Sequence, residues 1–173
     1  MKKSFLFVAA LFLMLLTRAQ TSSVDEIFNK YSEKEGFTVV TISSRMFSMF
    51  ANQDVENKEA DNIMRQLKSI KILSVGDSLL NKNLNFYNEL NNKHFLEAYE
   101  ELLVVKEGPD ITKFLIKESG DLISELLVIT GGPGGNSIIS IKGDINLKNL
   151  SDLSKNIGIQ ELKGLDNINK KVP

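Results

Sequence analysis

The chain has 173 residues, of which 42% are hydrophobic and 25% are charged, and it contains no cysteine, no tryptophan and one histidine. These values are typical of one globular domain and exclude disordered, collagen-like and disulfide-scaffold classes. The lack of cysteine also excludes thiolate nucleophiles and cysteine-ligated zinc or iron–sulfur sites. A single histidine leaves no imidazole pair to chelate a metal. The composition therefore predicts neither a metal site nor a bound cofactor.

Residues 1–19 have the three-part pattern of a secretory signal peptide. Lys2 and Lys3 form a positive start, an apolar run extends to Leu16, and small residues precede a cleavage point after Ala19. The apolar run is shorter than the ~20 residues that cross a bilayer, which favours cleavage over retention as an anchor. A lipoprotein would need a cysteine after that point, and the chain has none. We therefore expect an exported protein, periplasmic or extracellular, without a stable membrane anchor.

Removal of this leader changes the net charge of the protein. It takes away three basic residues and no acidic one, which leaves 18 basic against 22 acidic residues and a net charge of −4. Nucleic-acid binding relies on clustered Lys and Arg that neutralise phosphates, so an acidic chain without basic clusters argues against it. The expected partner is an envelope protein or a small ligand.

The first half of the mature chain is predicted to be mainly helical. Hydrophobic periodicity and turn residues indicate, in order, a helix from Ser22 or Ser23 through Tyr31, a strand over 37–42, a short helix over 44–50, a helix ending near Leu67, a strand over 70–75 and a single helix over 78–95. The short helix carries Met46, Phe47, Met49 and Phe50. Such residues at helical spacing are expected in the core, although they would also suit an apolar-ligand carrier.

The second half changes to strands. Segments rich in Val, Ile and Leu, separated by Gly, Pro and Asp, cover 101–106, 111–118, 122–130 and 137–142. Short connections make sequential strands antiparallel, so these four form a meander. A final helix is predicted from Leu147. The chain is thus predicted to be a single α+β domain over 20–158, with a largely antiparallel sheet, helices packed mainly on one face, and a weakly helical tail over 159–173.

Two parts of the predicted meander resemble each other. The sequence ELLVVKEGP at 101–109 recurs as ELLVITGGP at 125–133, an offset of 24 residues. One β-hairpin used twice would produce this pattern. Convergence would also produce it, because apolar strands commonly end in Gly-Pro turns. Both explanations remain open at this stage.

The most conspicuous candidate site is the glycine-rich loop formed by Gly131, Gly132, Pro133, Gly134 and Gly135. Phosphate-binding glycine loops open a helix, whereas this one precedes a strand, so we interpret it as a hairpin turn. An exposed, mobile loop of this kind would serve as a contact loop for a partner. His94 has no motif around it that indicates catalysis and is expected to be a surface or partly packed residue.

Glutamates provide the alternative chemistry. Glu101 and Glu125 occupy equivalent positions in the two similar segments and would act as an acid/base pair if they shared a cleft. Charged residues on exposed strand edges are the preferred interpretation, because they discourage pairing with other chains. No catalytic residue is therefore assigned.

Several segments resemble the domain-of-unknown-function family 4252 of Bacteroidota envelope proteins. They are IFNKYS at 27–32, GFTVVTIS at 36–43, YEELL at 99–103, and SELLVI at 124–129 together with Gly132. The resemblance implies a small exported protein or lipoprotein without an assigned activity or catalytic residues to carry over. This chain lacks the anchoring cysteine of the lipoprotein members.

These observations favour an exported, non-enzymatic binding or interaction module of the cell envelope. Its contacts are expected through strand addition at the meander edges or through the glycine loop. The alternatives are a small glutamate-dependent hydrolase and a periplasmic carrier that holds an apolar ligand beneath the helix with Met46 and Phe50.

Overall fold

The computed structural model describes residues 23–51, 58–91, 95, 97–120 and 122–146. Several predictions fall outside these residues: the leader over 1–19, the placement of His94, the final helix from Leu147, and the tail over 159–173. The described elements, in chain order, are α1 (Ser23–Tyr31), β1 (Phe37–Ser43), α2 (Ser44–Ala51), α3 (Lys58–Gln66), β2 (Leu67–Val75), α4 (Ser78–Asn83), α5 (Phe86–Leu90), β3 (Glu100–Glu107), β4 (Asp110–Ser119), β5 (Leu122–Gly131) and β6 (Ser137–Ile145).

The six strands form one sheet in the order β1-β2-β6-β5-β4-β3. Every neighbouring pair is antiparallel, and β3 to β6 follow each other as a four-stranded meander. The predicted α+β class and the meander are confirmed. Because β2 pairs with β6, one edge of the meander is covered, and the edges of the whole sheet are β1 and β3.

Helices cover both faces of this sheet, so the prediction that they lie mainly on one face is wrong. On one face, Phe47 of α2 and Ile63 of α3 pack with Val128 of β5. On the other face, Phe28 of α1 packs with Leu127. Successive strand residues point to opposite faces, and β5 has an unbroken buried apolar run from Leu126 to Ile129. A strand with apolar residues on both faces is stable only when other elements pack on both sides of the sheet.

Over its described residues 78–91, the predicted single helix over 78–95 is interrupted at Leu84 and Asn85, which separate α4 from α5. Asn85 adopts an extended conformation, and its side-chain oxygen accepts a hydrogen bond from the backbone N–H of Asn88. Asp77 caps the start of α4 in the same way. Asparagine favours such caps over helix interiors because its side chain competes for backbone N–H groups. Asn85 therefore begins α5 and separates it from α4.

Candidate functional site

The glycine loop joins β5 to β6 and is held in place by hydrogen bonds. The N–H of Gly134 donates to the Asp110 carboxylate at 2.9 Å, and the N–H of Gly135 donates to the carbonyl of Gly132 at 3.2 Å. Only Pro133 and Gly134 of this loop are exposed. The hairpin turn is confirmed, while contact of the loop with a partner stays a prediction.

Asn136 fastens the loop to the segment between α4 and α5. Its side chain is 3% exposed. The amide nitrogen donates to the carbonyls of Gly132 at 2.9 Å and Leu84 at 3.1 Å, with further contacts to Asn81. The amide oxygen accepts from the N–H of Phe86 at 2.9 Å. The residue therefore supplies partners for backbone groups that a helix interruption leaves unpaired. No local sequence pattern marks Asn136 for this role.

Glu101 and Glu125 lie on different strands and have different surroundings. Glu101 is exposed on the edge strand β3, where Lys113 pairs with its carboxylate at 2.6 Å. Glu125 is 6% exposed in the central strand β5. Their hydrogen-bond partners are separate, and the strand β4 lies between them. The interpretation as an edge charge suits Glu101 and is wrong for Glu125, and the structure does not join the two carboxylates in one network.

The buried Glu125 carboxylate is satisfied by two hydroxyl groups. Tyr99 donates to one oxygen at 2.9 Å, and Ser140 donates to the other at 2.6 Å. Burial, followed by the negative charge of Glu125, raises the pKa of Tyr99 above its ordinary value. Nearby, Asp25 in the first turn of α1 binds Lys71 at 2.9 Å. These pairings connect α1 and the residue before β3 to the sheet.

Tyr99→Phe is expected to change how stability depends on pH. Because the folded protein holds the Tyr99 proton more tightly than the unfolded chain does, this group's contribution is complete below pH ~10 and falls at higher pH by up to about 1.4 kcal/mol per pH unit. The variant loses about 1–3 kcal/mol at neutral pH, because a buried carboxylate loses a donor. Its alkaline loss of stability should be shallower. Urea unfolding from pH 7 to above 10 tests this, and equal slopes for both proteins would contradict it.

The two edges of the sheet differ in charge. Half of the residues in β3 are charged: Glu100, Glu101, Lys106 and Glu107. The seven residues of β1, FTVVTIS, include no charge and no proline. Charges on edge strands normally prevent pairing with other chains. In the described part of the chain no strand pairs with the outer side of β1, so this edge lacks the protection that β3 has.

Beside this edge, α2 has apolar side chains on two sides. Phe47 and Ala51 are buried toward the sheet. Met46, Met49 and Phe50 follow the spacing i, i+3, i+4 and are 46%, 57% and 52% exposed. The expectation that all the Met and Phe side chains of this helix lie in the core is therefore correct only for Phe47.

Val40 of β1 is a further exposed apolar residue on the face of the sheet that α2 covers. It is 40% exposed. Ile42, two residues along, packs in the same cluster as Phe47, so Val40 points to the face that α2 covers. We call Val40, Met46, Met49 and Phe50 the β1–α2 surface. A signal for it was present in the sequence: residues 37–51 contain a single charged side chain, Arg45.

The apolar-carrier alternative places its ligand between α2 and the sheet. The side of α2 that faces the sheet is occupied by Phe47, which packs with Ile63, Leu67 and Ile70. The exposed Met and Phe side chains point away from this cluster. The carrier function stays a prediction. The exposed Met and Phe side chains that would suit it lie on the outer side of α2.

Within the described ranges, no group of three His, Cys, Asp or Glu side chains is placed to hold a metal ion. Over the same ranges, no helix has both the length and the apolar character required to cross a membrane.

Comparison with known proteins identifies the family. No curated protein and no solved structure matches the chain significantly. The family model described as a domain of unknown function (DUF4252) matches residues 31–153, from the end of α1 to beyond β6. This region contains the whole sheet, the β1–α2 surface and the Asn136 network. The protein therefore belongs to the DUF4252 family.

Proposed function

We propose that this protein is an exported, non-enzymatic interaction module of the bacterial cell envelope, and that its partner adds a β-strand to β1. In this mode, backbone hydrogen bonds between strands supply affinity, and side chains at alternate positions supply specificity. The apolar stripe of α2 provides a second contact on the same face of the sheet.

One observation carries this proposal: the unprotected edge β1 lies beside an exposed apolar helix. An uncharged edge strand is a template for pairing, and natural proteins usually protect such edges. Contiguous exposed apolar side chains on a soluble domain mark interaction sites more often than isolated ones do. The two features occur together only at the β1–α2 surface among the described elements, since β3 is charged.

The test uses short random peptides displayed on phage, selected against the protein at low concentration. We expect selected peptides to be extended sequences with alternating β-branched residues, because these pack best on a strand of this type. Val40→Lys should weaken their binding at least about tenfold, since it places a charge on the apolar β1–α2 surface beside the added strand.

The matched control is Val105→Lys on the other edge strand. Val105 is 37% exposed and Val40 is 40% exposed, so the two substitutions add the same charge at similar positions on opposite edges. Selected peptides should bind the Val105→Lys variant as they bind the parent protein. The proposal is contradicted if no peptide is selected, or if the two variants bind the selected peptides equally well.

A further inference from the structure

We propose that the strand added to β1 is the β1 strand of a second copy of this chain, so that two sheets join into one continuous antiparallel sheet of twelve strands. This inference rests on the proposed function, because it names the partner of the same surface. It follows from the symmetry of the strand, from the position of α2 and from the charge of the surface.

Antiparallel pairing of two identical strands places a two-fold axis between them. A single register pairs all seven residues of β1 with its copy, and in that register Val40 faces Val40. Val39 then faces Thr41, and Thr38 faces Ile42. These three pairs consist of β-branched residues, which are favourable cross-strand neighbours. The remaining pair joins Phe37 to Ser43, and no pair brings like charges together.

The same axis brings the two α2 helices together. Because the axis is perpendicular to the joined sheet, both copies of α2 lie on the same face. α2 contacts β1 and β2, whereas α3 contacts β2 and β6, so α2 is the helix nearest to the joint. The exposed stripe of Met46, Met49 and Phe50 is then available to pack against its copy above the paired strands.

The charge pattern of β1 and α2 is compatible with a second copy as the occupant. The full chain carries 22 acidic and 21 basic residues, and like charges that meet across an interface repel each other. Over residues 37–51 the only charged side chain is Arg45. Two copies that meet at this face therefore bring few like charges together.

The first experiment measures oligomeric state by sedimentation over a concentration series, on the purified parent protein and on Val40→Lys and Val105→Lys. We expect the parent and Val105→Lys to dimerise equally. Val40→Lys should raise the dissociation constant of the dimer at least about tenfold, because the two-fold axis places its ammonium groups opposite each other. Circular dichroism shows whether each variant keeps the fold.

A charge-complementation experiment tests the axis itself. Val40→Glu alone should also be monomeric at concentrations where the parent is a dimer. An equal mixture of Val40→Lys and Val40→Glu should recover the dimer, since residue 40 then faces an opposite charge. Failure of the mixture to associate, with both variants folded, would overturn the two-fold arrangement.

The outcomes separate this inference from the proposed function. If the parent is monomeric at all concentrations and still binds selected peptides at β1, the second-copy inference is wrong and the interaction module stands. If the parent dimerises but both lysine variants dimerise equally, the dimer uses another surface and the inference is wrong. If neither peptides nor a second copy use β1, both proposals fail.

Discussion

Asn136→Asp is expected to lower the free energy of unfolding by about 3–5 kcal/mol. The substitution hardly changes size, but it replaces the donating amide nitrogen by an oxygen. That oxygen then faces the carbonyls of Gly132 and Leu84, which accept hydrogen bonds and cannot donate them. Asn136 is also almost fully buried, so a negative charge there loses most of its hydration.

Urea unfolding at neutral pH measures this effect, with Asn88→Asp as the control. Asn88 is an exposed residue of α5, so the same chemical change there should alter stability by no more than about 0.5 kcal/mol. Proteolysis within the segment that joins α4 to α5 should also become faster in Asn136→Asp, because that segment loses its connection to the sheet. Equal stability of the two variants would show that the Asn136 network contributes little.

Gly131→Ala is expected to cost about 2–4 kcal/mol through steric overlap. A Cβ atom at this position would overlap the Asn85 side-chain oxygen and lie 2.8 Å from the backbone nitrogen of Tyr87. One of these neighbours caps α5 and the other belongs to it, so neither moves without shifting that helix. The backbone of Gly131 has no positive φ, which makes the effect one of space rather than of conformation.

Gly135→Ala is the matched control for this experiment. Both glycines lie in the same loop, and Gly135 also lacks a positive φ. A Cβ atom on Gly135 meets nothing within 4 Å. We therefore expect a change within about 0.5 kcal/mol for this variant. Thermal or urea unfolding of both variants decides the matter, and a Gly131→Ala protein as stable as the control would contradict the close packing of the loop on α5.

Periodicity and turn residues predicted the helices and strands that depend mainly on neighbouring residues in the sequence. The apolar face of α1, the β-branched run of β1 and the four strands of the meander were correctly expected from periodicity and turn residues. The interruption at Asn85 was missed. Asparagine is an unfavourable residue inside a helix and a favourable one as a cap. Which of these roles Asn85 takes depends on Asn136, which lies 51 residues away and accepts a hydrogen bond from the N–H of Phe86.

The two similar segments show most clearly where local information ends. Glu101 and Glu125 are each followed by Leu-Leu-Val, yet one is exposed and the other is 6% exposed. Their burial depends on position in the sheet, since β3 is an edge and β5 is central. Strand order arises from contacts between distant segments, so it is not encoded in the residues next to either glutamate.

The sequence by itself determined the α+β class, the antiparallel meander and the DUF4252 family, because each depends on patterns along the chain. Only the tertiary structure decided which apolar side chains are buried. Met46 and Phe47 are neighbours in the sequence, but the packing of α2 on the sheet buries Phe47 and leaves Met46 at the surface. The spacing of apolar residues shows which sides of a helix are apolar. Whether each of those sides is buried depends on the neighbouring elements. The β1–α2 surface consists of apolar side chains that this packing leaves exposed.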